Sequence, residues 1–310
     1  MDRCYALPAL LLLVVNINAQ TDPLNHWRLD ESGGTVAHDV EHVVSGILQN
    51  GALWDPTGGH HQGACRFDGV NDLIILGPCD ITTGGGEMSL SVWVKPDLVT
   101  AADRTLIIKT IGPTNADHIW SLSFVNASAI RFNLRTGSTT TELTTPGSSI
   151  FSGSWYHIVA TYDGAAMRIW LNASLMAESS ASGSMGYHPE SPASIGATST
   201  GSAPFSGWID DVRIYDQGLE EDEVLTILLE NEVVTQVTSD PPWVGRDSKL
   251  HLPAGAWTDL QLFDAAGRSV PTQRLTAGSN VLDLGFLSTG LYMVCLLGDG
   301  KRASWPIVVP

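Results

Sequence analysis

The stretch GWIDDVRIYD, Gly207–Asp216, decides how the rest of the chain is read. Trp208, Ile209, Val212, Ile214 and Tyr215 are apolar and mostly β-branched or aromatic, which is the composition of a strand. Two adjacent carboxylates, Asp210 and Asp211, sit inside it. Strict alternation sends neighbouring side chains to opposite faces, so one of the two acids is expected where an apolar residue belongs. A carboxylate on an inner face is costly unless it is paired or bound to a cation. Either Asp210 holds something, or the strand is an edge with both acids in water.

Upstream of this strand the chain is a series of short alternating segments. Leu24–Asp30 reads as a first strand, followed by Met88–Lys95, Thr105–Lys109, Ile119–Val125, Ala129–Leu134, Trp155–Tyr162 and Met167–Leu171. Gly, Asn, Asp and Ser turns separate them, and Asp68-Gly69 is a tight-turn signal with Phe67 beside it as a core candidate. Leu219–Glu232 reads as a short helix with acids in its first turn, where the helix dipole favours them. Amphipathic helical runs are otherwise nearly absent, so the fold expected from the residues is an all-β sandwich.

The chain ends read differently. Arg3 followed by the apolar run Ala6–Val15 and by Ala19 has the form of a secretory signal over residues 1–19, too short to span a bilayer. No other apolar run is long enough to be a transmembrane segment. The expected location is therefore secreted or at the outer cell surface. From Gln20 to Trp243 there are 9 Lys/Arg against 27 Asp/Glu, whereas Val244–Pro310 has 6 against 5. That shift places a boundary near Pro241-Pro242. The expected division is a signal over 1–19, a main domain over 20–232, a linker over 233–243 and a small β domain over 244–310. The acidity of the main domain argues against nucleic acid as its partner. It suits calcium, neutral sugars or plain solubility. Cys65 and Cys79 flank the turn Asp68–Asp72 and are a candidate pair in an oxidising compartment; Cys295 reads as a buried small hydrophobe, and no spacing matches a zinc site.

At this point the segments carry a resemblance. FDGVNDLIIL, MSLSVWVKPD, GSWYHIVATYDG followed by MRIWLN, and GWIDDVRIYDQGLEEDEV resemble, in order and spacing, the LamG-like jelly-roll family of the concanavalin A-like lectin/glucanase superfamily, from about Leu24 to Glu232. The resemblance implies a jelly-roll β-sandwich of two antiparallel sheets. It also implies a structural calcium ion held by Asp210, with Asp30 from the first strand as a second ligand and Asp68 and Asp72 as further candidates. The alternative is that Asp210 only accepts backbone amide hydrogen bonds or pairs with Arg213 or Arg28. One departure is Asn172-Ala173 where the family usually has Asn-Gly, so that turn is expected to differ in type or to be strained. Asn172-Ala173-Ser174 and Asn126-Ala127-Ser128 match the glycosylation triplet and are read as chance.

The tail segments SKLHLP, LQLFDAAGRSV, GSNVLDLGFLSTGLYMVCLL and KRASWPIVVP resemble the C-terminal sorting domain of the type IX secretion system. Asp264, Gly267 and Arg268, and then Ser288, Gly290 and Tyr292, stand where that family has its motifs, although the family often ends in basic residues and this chain ends in Val308-Val309-Pro310. The resemblance implies a small β-sandwich, a bacterial source, and the type IX secretion machinery as a partner.

Trp93, Trp155 and Trp208 lie in strand signatures and are expected in the core, while Trp54, Trp120 and Trp170 are less constrained and would stack on a sugar if exposed on a concave sheet. His60-His61 reads as a solvated loop and His157 as a structural histidine. No Glu-x-Asp-x-x-Glu strand, Gly-x-Ser-x-Gly elbow or phosphate loop occurs, and Glu220–Glu223 looks like the solvated start of a helix. The function expected is a non-catalytic binding or adhesion protein whose partner is a carbohydrate or surface glycoprotein. The alternatives are a glycan-active hydrolase or lyase and a structural cell-envelope component. Two carboxylates about 5–10 Å apart in a groove would favour the enzyme, and aromatic rings and amides in the groove the lectin.

Overall fold

The computed structural model describes residues 21–81, 86–97, 102–126, 128–147 and 150–230, and in the tail 243–245, 248–252, 259–264, 269–270, 281–298 and 301–309. The signal segment and nearly all of the linker lie outside the described residues. Sixteen strands build the main domain. They are β1 (Asn25–Trp27), β2 (Val36–Ala37), β3 (Gly46–Gln49), β4 (Leu53–Asp55), β5 (Ala64–Asp68), β6 (Leu73–Ile75), β7 (Met88–Pro96), β8 (Arg104–Thr110), β9 (His118–Val125), β10 (Ala129–Thr136), β11 (Thr139–Thr144), β12 (Tyr156–Tyr162), β13 (Ala166–Leu171), β14 (Ser174–Ser180), β15 (Ala193–Ile195) and β16 (Ser206–Tyr215). Helix α1 (Glu221–Leu229) follows, its Glu223 carboxylate accepting the Glu220 N–H at 2.8 Å.

All pairings are antiparallel. Sheet I has the order β14-β13-β12-β7-β16-β5-β4, with β1 added along the second half of β16. Sheet II has the order β11-β10-β9-β8-β15-β6-β3-β2. The two sheets enclose one core. Leu90, Val92, Val94, Ile158, Ala160, Ile209, Val212 and Ile214 come from sheet I, and Leu106, Leu122, Phe124, Ile130, Phe132 and Ile195 from sheet II. A side chain of this size contributes about 1.5–3 kcal/mol when fully buried, which is why alternation on the central strands is so regular. The architecture is the expected jelly-roll sandwich.

Two strands had no sequence signal. β11 (TTTELT) and β14 (SLMAESS) are the outermost strands of sheets II and I. An edge strand faces water on more sides, so it carries polar residues and loses its alternation. The β13–β14 connection is a two-residue turn with Asn172 at φ 49° and Ala173 at φ 61°. Both central residues are left-handed, the geometry for which Asn-Gly is preferred. The turn type is thus kept and alanine bears the strain. Ala173→Gly is expected to stabilise the protein by about 1 kcal/mol, read as a higher urea midpoint; an unchanged or lower midpoint would sink the assignment of strain.

Cys65 lies on β5 in sheet I and Cys79 follows β6 of sheet II, and both thiols are buried and free. The expected pairing is therefore not formed: the two residues sit in different layers. Burial raises both thiols well above their ordinary range, Cys79 to about 12.

In the tail, β17 (Trp243–Val244), β18 (Lys249–His251) and β21 (Val281–Asp283) form one small sheet, and β19 (Asp259–Asp264), β20 (Ser269–Val270), β22 (Gly290–Gly298) and β23 (Lys301–Val309) form another. They share a cluster that includes Leu250, Leu262, Leu282, Tyr292, Val294 and Ile307. Ser288 and Tyr292 of the Ser-x-Gly-x-Tyr motif are joined, the Tyr292 hydroxyl donating to the Ser288 carbonyl at 3.0 Å. Gly267 and Arg268 lie outside the described residues, as does the Cys295 side chain. No helix among the described residues is long and apolar enough to cross a membrane.

Candidate functional site

The two acids of GWIDDVRIYD do not point to opposite faces. A β-bulge interrupts β16: Asp210 pairs with Trp93, the next paired residue is Arg213 opposite Ser91, and Asp211 takes φ 48°. A bulge inserts one unpaired residue and re-aims the strand. Ile209 and Val212 therefore both enter the core while both carboxylates leave it. Asp211 accepts from Arg213 Nη2 at 2.9 Å and Nε at 3.2 Å, and also meets His26 Nε2 of β1. Arg213 in turn meets Glu230 just after α1. These ionic contacts hold Asp211 well below the usual carboxylate range despite its burial.

Asp210 is equally buried, yet its environment works in the other direction. Oδ2 accepts the backbone N–H of His60 at 2.9 Å and of His61 at 3.1 Å, and Asp30 Oδ1 accepts the Gly63 N–H at 2.8 Å. The loop between β4 and β5 is thus pinned over the outer face of sheet I by two carboxyl groups. Oδ1 of Asp210 is buried without a partner. Burial first, and then the nearby Asp211 and Asp30, push the Asp210 carboxyl up to about 8 against the lowering effect of the two amides. Calcium takes about six to eight oxygens; the hydrogen-bond partners of Asp30 and Asp210 are N–H donors, and the Asp30 and Asp211 carboxylates lie near Asp210. Among the described residues no three His, Cys, Asp or Glu side chains form a metal-binding group. Asp68 and Asp72 are brought together elsewhere: Asp72 Oδ2 accepts the Asp68 N–H at 2.9 Å and Asp68 Oδ1 the Val70 N–H at 2.7 Å, which shapes the β5–β6 turn.

His60 is not solvated. Its ring stacks on Trp93 with centroids 3.4 Å apart, and Trp93 stacks on His157 at 5.0 Å. Trp93 is buried, but under this loop rather than between the sheets. Trp155 and Trp208, expected in the core, are half-buried on the same outer face, because their positions alternate with the inward Tyr156 and Ile209. Trp120, by contrast, is in the inter-sheet core. Trp170 packs with Tyr215, Val224 and Ile227 under α1.

Among the described residues, the outer face of sheet II carries a pocket that resembles a ligand site. Register places Thr105, Ser123 and Arg131 in one row across β8, β9 and β10, and Ile108, Ser121 and Asn133 in the next. With Asp103, Asn115, His118, Thr198 and Ser202 the first row and its neighbours line a pocket of about 150 Å³. Asn133 Nδ2 donates to His118 Nδ1 at 2.8 Å, and Ser121 Oγ lies 2.9 Å from the same nitrogen. Nδ1 is then an acceptor and the ring proton sits on Nε2. Burial, followed by the Arg131 charge, lowers His118 to about 4, so the ring is neutral near pH 7. Arg131 Nη2 donates to Asp103 at 2.7 Å, and Nη1 lies 3.9 Å from Glu142. Ser123 Oγ, Arg131 Nε and Asn133 Oδ1 are buried without a partner. A buried polar atom left unpaired is costly.

A family model described as the concanavalin A-like lectin/glucanases superfamily (Laminin_G_3) matches residues 68–225. The chain belongs to this superfamily. Among solved structures, this superfamily member is similar to domain 4 of AbnA, an extracellular arabinanase from Geobacillus stearothermophilus in complex with arabinotriose, with 19% identity over 67% of this chain and 99% of that one at TM-score 0.50. It is also similar to the binding domain of botulinum neurotoxin DC in complex with SialylT, with 10% identity over 91% and 73% of the two chains at TM-score 0.55. At these identities the likeness establishes the fold. No curated protein matches the sequence.

The groove of this lectin/glucanase-type sandwich was not among the sites expected from sequence. Its signal was present: Ser121-x-Ser123 on β9 and Arg131-x-Asn133 on β10 are polar at period two in neighbouring strands whose other positions are core. Among the described residues the groove lining contains one amide, Asn115, and one imidazole, His118, with no Trp, Tyr or Phe ring. Asp103, just before β8, and Glu142 on β11 both face the Arg131 guanidinium.

Proposed function

We propose that this protein is a secreted or surface-exposed carbohydrate-binding protein that takes a glycan in the groove on sheet II without cleaving it. The observation that carries the reading is the polar lining of the pocket, with Asp103, Thr105, Asn115, Ser121, Ser123, Arg131, Thr198 and Ser202. Carboxylate, amide, guanidinium and hydroxyl groups together match sugar hydroxyls, which donate and accept at once. The arabinotriose complex of the similar arabinanase domain supports a glycan as the partner class. The pairing of Asp103 and Glu142 with Arg131 supports binding over catalysis, since a glycosidase needs one acid and one base facing the bond. The reading includes no calcium requirement at Asp210, and it includes export of the chain through the type IX machinery by the tail.

A glycan array on the full chain, followed by titration calorimetry of the best ligand, tests the groove. Ser123→Val is expected to weaken binding by about tenfold or more, the loss of about 1.4 kcal/mol, with the unfolding midpoint preserved. Because His118 stays neutral, affinity should be flat from about pH 5.5 to about pH 8. Calcium and chelator should leave both affinity and thermal midpoint unchanged. An unaffected affinity in Ser123→Val would remove the groove as the site, and turnover of the bound oligosaccharide would replace binding by catalysis.

A further inference from the structure

The outer face of sheet I is covered unevenly. Helix α1 lies over Val159, Trp170 and Tyr215, and the loop at His60 lies over Trp93 and His157. The next row is covered less: only the His60 ring reaches it, edge-on to Trp155 at 6.0 Å. There Leu53 pairs with Arg66, Arg66 with Trp208, and Trp208 with Lys95, and Trp155 extends the row because the following Tyr156 pairs with Val94. Leu53 is 66% exposed, and Arg66, Trp208, Lys95 and Trp155 each keep part of their surface in water.

The charge on this row is specific. Arg66 is paired with Asp97, and its guanidinium carbon lies 4.4 Å from the Trp208 ring centre. The Lys95 ammonium has no carboxylate partner among the described residues. It lies 4.1 Å from the Trp208 ring and 5.2 Å from the Trp155 ring. Asp55 is engaged by Trp208 Nε1 at 2.8 Å. Indole rings stabilise the cation's charge but leave its three N–H donors without directed acceptors. In a domain where acids outnumber bases three to one, 27 to 9, most cations find a carboxylate; this one is held between two rings instead.

We infer that Lys95, Trp155 and Trp208 form a second saccharide site on the face opposite the groove, selective for a pyranose that carries a carboxylate. The sugar ring packs on the exposed part of Trp155, since Trp208 already carries Arg66 and Lys95, and its carboxylate takes the Lys95 ammonium. At physiological ionic strength charges are screened over about 8 Å, so Lys95 acts on a bound sugar while the distant acids of the domain do not oppose it.

The test is affinity electrophoresis of the full chain in gels holding polygalacturonate or its methyl ester, which differ only in the carboxylate. Wild type is expected to be retarded by polygalacturonate and about tenfold less by the ester. Lys95→Met and Trp155→Ala should each abolish the retardation, Lys95→Arg should retain it, and the groove variant Ser123→Val should behave as wild type. Circular dichroism confirms that each variant is folded. Equal retardation by the ester, retention in Lys95→Met, or loss in Ser123→Val would each overturn the inference, the last by returning uronate binding to the groove.

Discussion

Asp211→Ala is expected to lower the stability of the sandwich by about 3–5 kcal/mol, the range for removing one partner of a buried ion pair. Asp211 is 4% and Arg213 3% exposed, and the carboxylate receives two guanidinium hydrogen bonds as well as the His26 ring. Without it the buried guanidinium keeps Glu230 and a long contact to the Tyr215 hydroxyl at 3.5 Å. Alanine must also adopt the left-handed conformation that aspartate tolerates at φ 48°. The measurement is equilibrium urea unfolding near pH 7. Because the folded state holds Asp211 below its unfolded value, its contribution is present above the unfolded pKa and is lost as pH falls. The gap between wild type and variant should therefore narrow in acid. A loss under about 1 kcal/mol near pH 7 would show that the network is not a stabilising unit.

Asp210→Asn is expected to do the opposite on the alkaline side. The folded carboxyl is raised from 3.8 to about 8, so its proton stabilises the native state in acid and that contribution is lost as pH rises toward the folded value. Between about pH 4 and about pH 9, the stability difference should move in favour of the variant by up to about 6 kcal/mol, which is the linkage expected for a shift of this size. Asparagine can keep the oxygen that accepts the His60 and His61 amides and has no charge to desolvate. Parallel stability curves for the two proteins would mean that Asp210 is ionised in the fold. Two neighbouring acids of one strand thus titrate in opposite directions, because one faces a guanidinium and the other faces amides and two carboxylates.

The fold was legible because burial imposes alternation on the central strands. MSLSVWVK, WYHIVATY and MRIWL became β7, β12 and β13 almost residue for residue. The edge strands β11 and β14 were not, since water accepts any polar residue there. The site was less legible for two reasons. The alternation rule itself misplaced Asp210 and Asp211, because a bulge is a one-residue event with no compositional mark other than the paired acids. The groove was hidden because its serines, arginine and asparagine read one strand at a time as ordinary outward residues, and only register sets Arg131 beside Ser123 and Asn133 beside Ser121. Trp155 and Trp208 were misread because strand signatures contain outward tryptophans whenever something cationic packs on them.

The short β1 strand has a mechanical meaning. Its first residue pairs with Ile214 and its last with Val212, and the Leu24 N–H donates to the Ile214 carbonyl at 2.7 Å. The chain therefore enters and leaves the sandwich at the same end of β16. A tensile load applied between these two points would open the β1 hydrogen bonds in succession, like a zipper, rather than shear them together. The last step draws Trp27, fully buried and bonded through Nε1 to the Val44 carbonyl, out of the core. Under flow or traction this seam is where such a domain is expected to open.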